Sequence, residues 1–124
     1  MDSIDKSLII CPSVTLLQAL KQMDRVHRKM LLVIEDNRFL SILTIGDIQR
    51  AIIKKIDVNC PIVDILDSST KQYCTTTDSD EDIKNAILAI RAEMMPVLDS
   101  DGHLAKIYYW TDFFSGESSL SSRE

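Results

Sequence analysis

Leu43-Thr44-Ile45-Gly46-Asp47 is the stretch whose residue types and spacing suit chemistry: an apolar strand end, a hydroxyl, a flexible glycine and an aspartate opening a helix. The first turn of a helix carries backbone N–H groups without helical partners, and the positive end of its dipole lies beside them. Together these outline a phosphate site. A plainer assignment competes with it, because an aspartate there can be a helix N-cap and a threonine a turn hydroxyl. The net charge of −5 argues against nucleic acid, whose phosphates call for a broad basic surface; a small anion needs only a local positive site.

Other residues offer less. The three glycines, Gly46, Gly102 and Gly116, are too few and too scattered for a Gly-rich phosphate loop, and no Ser/His/Asp or Cys/His set has a recognisable spacing. The expectation is a chain that is not itself an enzyme and requires no cofactor. Cys11, Cys60 and Cys74 are widely spaced and odd in number, so they are read as small buried hydrophobes rather than as a disulfide framework or a metal site. His27 and His103 are isolated and read as surface or loop residues. The acidic run Asp78 to Asp82 stands where a helix N-terminus favours negative charge, and a calcium loop would need a longer, regular set of oxygen ligands.

The elements that must position these residues come in two sets. With 124 residues, 45% hydrophobic and 27% charged, the chain fits one compact folded domain, whereas halves of about 60 residues would be marginal alone. Ser13 or Thr15 can cap a helix with Leu16, Ala19, Leu20 and Met23 on one face; Ser79, with Asp82 in capping-box position, can cap another with Ile83, Ala86, Ile87 and Ile90. A short apolar strand follows each helix, Met30 to Ile34 and Met94 to Leu98, then an acidic turn, then a second strand, Phe39 to Leu43 and Leu104 to Tyr109. Each second strand runs into a helix beginning at an aspartate, Asp47 or Asp112. Matching Ala19 to Ala86, Val33 to Val97 and Asp47 to Asp112 predicts a repeat whose register drifts by only a few residues.

Between the repeats, Asp57 to Ser69 reads as a short connecting helix started by Pro61, leading to a strand around Tyr73-Cys74-Thr75. The expected organisation is a first repeat with its connecting helix over 1–69, a second repeat over 70–114, and a serine-rich linker or tail over 115–124. No apolar stretch is long enough to span a bilayer and the N-terminus lacks signal-peptide character, so a cytoplasmic protein with no membrane partner is expected.

Cys11-Pro12-Ser13-Val14-Thr15-Leu16-Leu17-Gln18-Ala19-Leu20, Leu32-Val33-Ile34-Glu35-Asp36 and Leu43-Thr44-Ile45-Gly46-Asp47-Ile48 together resemble a CBS (cystathionine β-synthase) repeat, and Cys74 to Phe114 resembles a second copy. The resemblance covers roughly residues 7–114. It implies an α/β fold of two pseudo-symmetric repeats, each a small three-stranded sheet flanked by two helices, packed around a pseudo-two-fold axis. It also implies a regulatory module for an adenine nucleotide such as AMP or ATP, in which the residue at Thr44 reaches the phosphate and that at Asp47 accepts bonds from the ribose hydroxyls. Ile10, Cys11 and Met30 fall where such repeats contact the base. In the second copy Tyr109 stands at the position of Thr44, so Asp112 alone carries over and a second site is weakened.

The segment Thr44 to Ile52 is most similar to CBS pairs attached to sugar-phosphate enzymes, either isomerases, where the pair follows, or sugar-1-phosphate nucleotidyltransferases of the mannose-1-phosphate guanylyltransferase kind, where it precedes. A first repeat starting almost at Met1 and a trailing serine-rich segment fit the second arrangement. The resemblance therefore implies a covalently attached catalytic domain and a homodimer. The alternative is a purely structural module that dimerises its host enzyme without a ligand.

Overall fold

The structure, a computed structural model, describes residues 5–66 and 73–118, the last four as backbone only. The chain divides into two compact units, Met1–Gln72 and Tyr73–Glu124. The first runs β1 (Ile9–Ile10), α1 (Leu16–Val26), β2 (Met30–Glu35), β3 (Arg38–Thr44) and α2 (Ile45–Ile53). The second runs β4 (Cys74–Thr75), α3 (Asp80–Ile90), β5 (Met94–Leu98), β6 (Leu104–Tyr109) and α4 (Trp110–Ser118). Each unit thus has the expected mixed α/β form, a three-stranded sheet with two helices.

In both sheets the first strand pairs parallel to the second and the second antiparallel to the third. A helix joins each parallel pair, as such a crossover requires. The short turn Asp36–Asn37 joins β2 and β3 with both residues left-handed, at φ 53° and 65°, a geometry that Asn and Asp tolerate. The corresponding turn in the second unit is longer and places Gly102 at φ 84°.

The units share details that the residue types do not display. Thr15 and Ser79, 64 residues apart, are the N-caps of α1 and α3. His27 and Arg91, also 64 apart, end those helices in the left-handed conformation at φ 57° and 53°. Register shifts fall between Val33 and Ile34 and between Val97 and Leu98, again at the same spacing. Ala19 therefore corresponds to Ile83, both buried, and not to Ala86 as the apolar pattern suggested. The two patterns start at different points, with Asp80 standing where α1 has Leu16, and matching them by their first apolar residue slips the alignment by nearly one turn.

The first core gathers Leu16, Ala19, Met23, Leu31, Val33, Leu43 and Ile48 with Ile62 from beyond α2. The second gathers Ile83, Ile87, Met95, Val97 and Phe114, with Trp110 and Phe113 against it. The expected connecting helix is reduced to a single 3-10 turn, Ile62–Asp64; Asp67 to Ser69 lie outside the described residues. Its backbone is claimed elsewhere: Ile62 and Val63 donate to the Val14 and Pro12 carbonyls at 2.8 and 3.1 Å, and Leu16 donates to the Cys60 carbonyl at 3.1 Å. Tertiary bonds to the loop before α1 replace the helical ones. In the segment read as a tail, α4 extends to Ser118, and residues 119–124 lie outside the described ones.

Candidate functional site

The Thr44 to Asp47 turn is a capping box. Thr44 is the N-cap of α2; its hydroxyl accepts the Asp47 N–H at 3.2 Å while Asp47 Oδ2 accepts the Thr44 N–H at 2.9 Å. Asp47 is thus the third residue of the helix and not its first, which corrects the expected start. The supply of free donors is also smaller than expected. Ile45 N–H is taken by the Lys29 carbonyl at 2.9 Å and Asp47 N–H by Thr44, so two of the donors of this turn are already bonded.

Arg50, one turn on, donates through Nη2 to Asp47 Oδ1 at 2.6 Å, with the arginine side chain 65% and the aspartate 31% exposed. The guanidinium folds back over the start of the helix. A Cβ on Gly46 would lie 3.3 Å from Arg50 Nη1 and 3.6 Å from the Thr44 hydroxyl, so hydroxyl, carboxylate and guanidinium gather around the one residue without a side chain. The flank of α2 beyond them lines a groove of about 430 Å³ together with Ile56, Asp64, Ile65 and Leu66. Asp47, Arg50, Ala51 and Lys54 face it at i, i+3, i+4 and i+7 spacing.

Sheet register determines which other candidates join this turn. Met30 pairs directly with Thr44, Met30 buried and Thr44 half-buried. Ile10 pairs with Val33, three residues along β2 and so about 10 Å from the Met30 position. Its side chain is buried in the core, while Cys11, just past the strand, is exposed. Among the cysteines only Cys74 is buried and Cys60 is half-buried, so the expectation of buried thiols fails for Cys11. Burial pushes the Cys60 and Cys74 thiols up, with Asp64 and Asp57 adding to the first and Asp78 and Asp82 to the second.

The second unit keeps half of the box. Asp112 Oδ2 accepts the Tyr109 N–H at 2.7 Å, the counterpart of the Asp47 bond to Thr44, but tyrosine cannot return a short hydroxyl to the helix. The aromatic residues here serve packing: Trp110 lies tilted against Phe114 at 4.4 Å between ring centres, and Tyr108 stacks on Phe113 at 5.5 Å.

Sequence reasoning missed Arg50 and Lys54, although their spacing from Asp47 on one helix face was a usable signal. It also missed that Asp99, Asp101 and His103 bring ligand atoms within 4.8 Å of one another. Asp99 Oδ1 there accepts the Asp101 and His103 N–H groups at 2.9 and 3.0 Å, which holds its carboxyl below the usual range, and the cluster reads as a turn brace.

Among the described residues no helix is long and apolar enough to cross a membrane. No curated protein sequence matches the chain. The fold is similar to that of the CBS domain protein from Pyrobaculum aerophilum complexed with AMP, at 15% identity over 85% of this chain and 81% of that one, TM-score 0.70. CBSX2 in complex with AMP is similar at 21% identity over 87% and 84% of the two chains, TM-score 0.70. The cytosolic domain of the Mg2+ channel MgtE in complex with ATP is similar at 17% identity over 88% and 44%, TM-score 0.69. Residues 3–54 match the family model of the CBS domain, and the chain has the fold of CBS-pair proteins.

Proposed function

We propose that this chain is a regulatory CBS pair that binds an adenine nucleotide, AMP or ATP, at the opening of α2 and thereby controls an attached catalytic domain of the sugar-1-phosphate nucleotidyltransferase kind in the cytoplasm. The observation that carries the reading is the gathering of Thr44, Asp47 and Arg50 around Gly46, within the residues that match the CBS domain. Similar folds bound to AMP and ATP support the ligand class. Thr44 faces the phosphate with its O–H proton, Asp47 accepts from the ribose hydroxyls, and Met30 lies beside them for the base; Ile10 and Cys11 contribute at most through backbone. Asp112 is assigned to capping α4. A nucleotide that favours one arrangement of the module shifts the host domain by its difference in affinity between the two states.

The test is thermal unfolding with AMP, ADP, ATP, GTP and S-adenosylmethionine. A ligand at about 100 times its Kd stabilises the fold by roughly 2.7 kcal/mol. A shift with an adenine nucleotide supports the reading, and no shift with any of the five rejects it.

A second reading, a ligand-independent dimerising module, rests on apolar side chains left in solvent: Ile53 is 77% and Ile52 46% exposed on α2, Leu88 45% and Ile90 42% on α3. It predicts a homodimer by light scattering whose dissociation ignores nucleotides.

A further inference from the structure

The turn that opens α2 lacks the donors that a phosphate would need from backbone alone, since two of its N–H groups are already bonded. The cation nearest to it is Arg50, and that cation is engaged with the carboxylate assigned to the ribose. We propose that Arg50 is the specificity-determining residue of the site: it holds Asp47 when no nucleotide is bound and transfers to the nucleotide's phosphate when one is, so that the site prefers phosphorylated nucleosides. The assignment rests on the nucleotide reading above and extends it to the residue that recognises the phosphate.

Three observations carry it. Arg50 Nη1 and the Thr44 hydroxyl flank the bare Cα of Gly46, 3.3 and 3.6 Å from where a Cβ would stand, so a phosphate placed outside that gap lies within reach of both. Planar guanidinium and phosphate match in a fork geometry that a single N–H cannot offer. Second, the groove along α2 is lined by the cations Arg50 and Lys54 and the carboxylates Asp47 and Asp64, and Arg50 is ion-paired to Asp47. A phosphate therefore gains Arg50 only by exchange, and the ribose hydroxyls that come with it compensate Asp47 for the lost arginine. Adenosine without phosphate competes with Arg50 for Asp47 and offers nothing in return. Third, Arg50 is exposed and held by an i, i+3 pair, so releasing it costs little.

Calorimetric titration of the full chain with AMP and with adenosine tests the exchange. The wild type is expected to bind AMP more tightly, and Arg50→Gln to lose about tenfold in AMP affinity, as for a charge-assisted hydrogen bond, while adenosine binds as well or better. Gly46→Ala is a second probe, because its Cβ would crowd Nη1 while a helical alanine leaves the helix intact. It should lower AMP affinity without lowering the melting temperature. An AMP-to-adenosine ratio identical in wild type and Arg50→Gln overturns the role of Arg50 and leaves the nucleotide reading standing. Failure of the wild type to bind either compound overturns both.

Discussion

The turns that open α2 and α4 occupy the same place in their units and differ at three positions that matter. Both keep an aspartate that accepts the backbone N–H three residues earlier, at 2.9 Å for Asp47 and 2.7 Å for Asp112. At α2 the partner is a threonine, whose small hydroxyl completes the box and still has a proton to donate, and a glycine and an arginine follow. At α4 tyrosine takes the place of that threonine, Thr111 that of the glycine and Ser115 that of the arginine, and Trp110 packs against the core beside Phe114. The repeated aspartate is thus a capping device common to both, and the site proposed at α2 draws on the hydroxyl, the gap at Gly46 and the cation as well.

If the units are equivalent in their cores, truncating corresponding residues should cost alike. Met23→Ala and Ile87→Ala, 3% and 0% exposed and 64 residues apart, are each expected to lose about 2–5 kcal/mol in denaturant unfolding. A loss confined to one would break the equivalence. The difference between the turns is sharpened by Thr44→Ala, expected to cost about 1 kcal/mol through loss of the cap, with Thr44→Ser recovering most of it.

Smaller effects separate other parts of the units. Alkylation followed by mass spectrometry should modify exposed Cys11 first, half-buried Cys60 next and buried Cys74 last, because burial keeps the latter two thiols protonated. The β5–β6 turn should respond to acid. The Asp99 carboxyl is lowered chiefly by the His103 N–H, so its contribution is present above the usual carboxylate range and fades as pH falls through its lowered value. Asp99→Asn should flatten that part of the acid unfolding curve.

The architecture was legible because it rests on local signals: a short apolar run at Met94 to Leu98, helical periodicity after Thr15 and Ser79, and an acidic turn between strands. Two features were hidden. The linker over Asp57 to Leu66 is set by bonds to the loop before α1, which no local pattern encodes, and the helix alignment slipped because apolar periodicity is degenerate by a turn. For the site, Thr44 and Asp47 were visible as a pair, but a threonine and aspartate three apart also spell a capping box, and residue types alone do not separate the two. The i, i+3 spacing of Arg50 from Asp47 was open to the same reading, but that its guanidinium folds onto Gly46 is a matter of side-chain conformation that residue types do not encode.

The central claim, that the opening of α2 binds the nucleotide and the opening of α4 only caps a helix, is tested most directly by AMP-dependent melting of the wild type, Asp47→Asn and Asp112→Asn. Asparagine keeps the oxygen that caps the helix and removes the charge, so folding is preserved in both variants. The account predicts that AMP raises the melting temperature of the wild type and of Asp112→Asn but much less that of Asp47→Asn; equal shifts in all three, or loss only in Asp112→Asn, would contradict it.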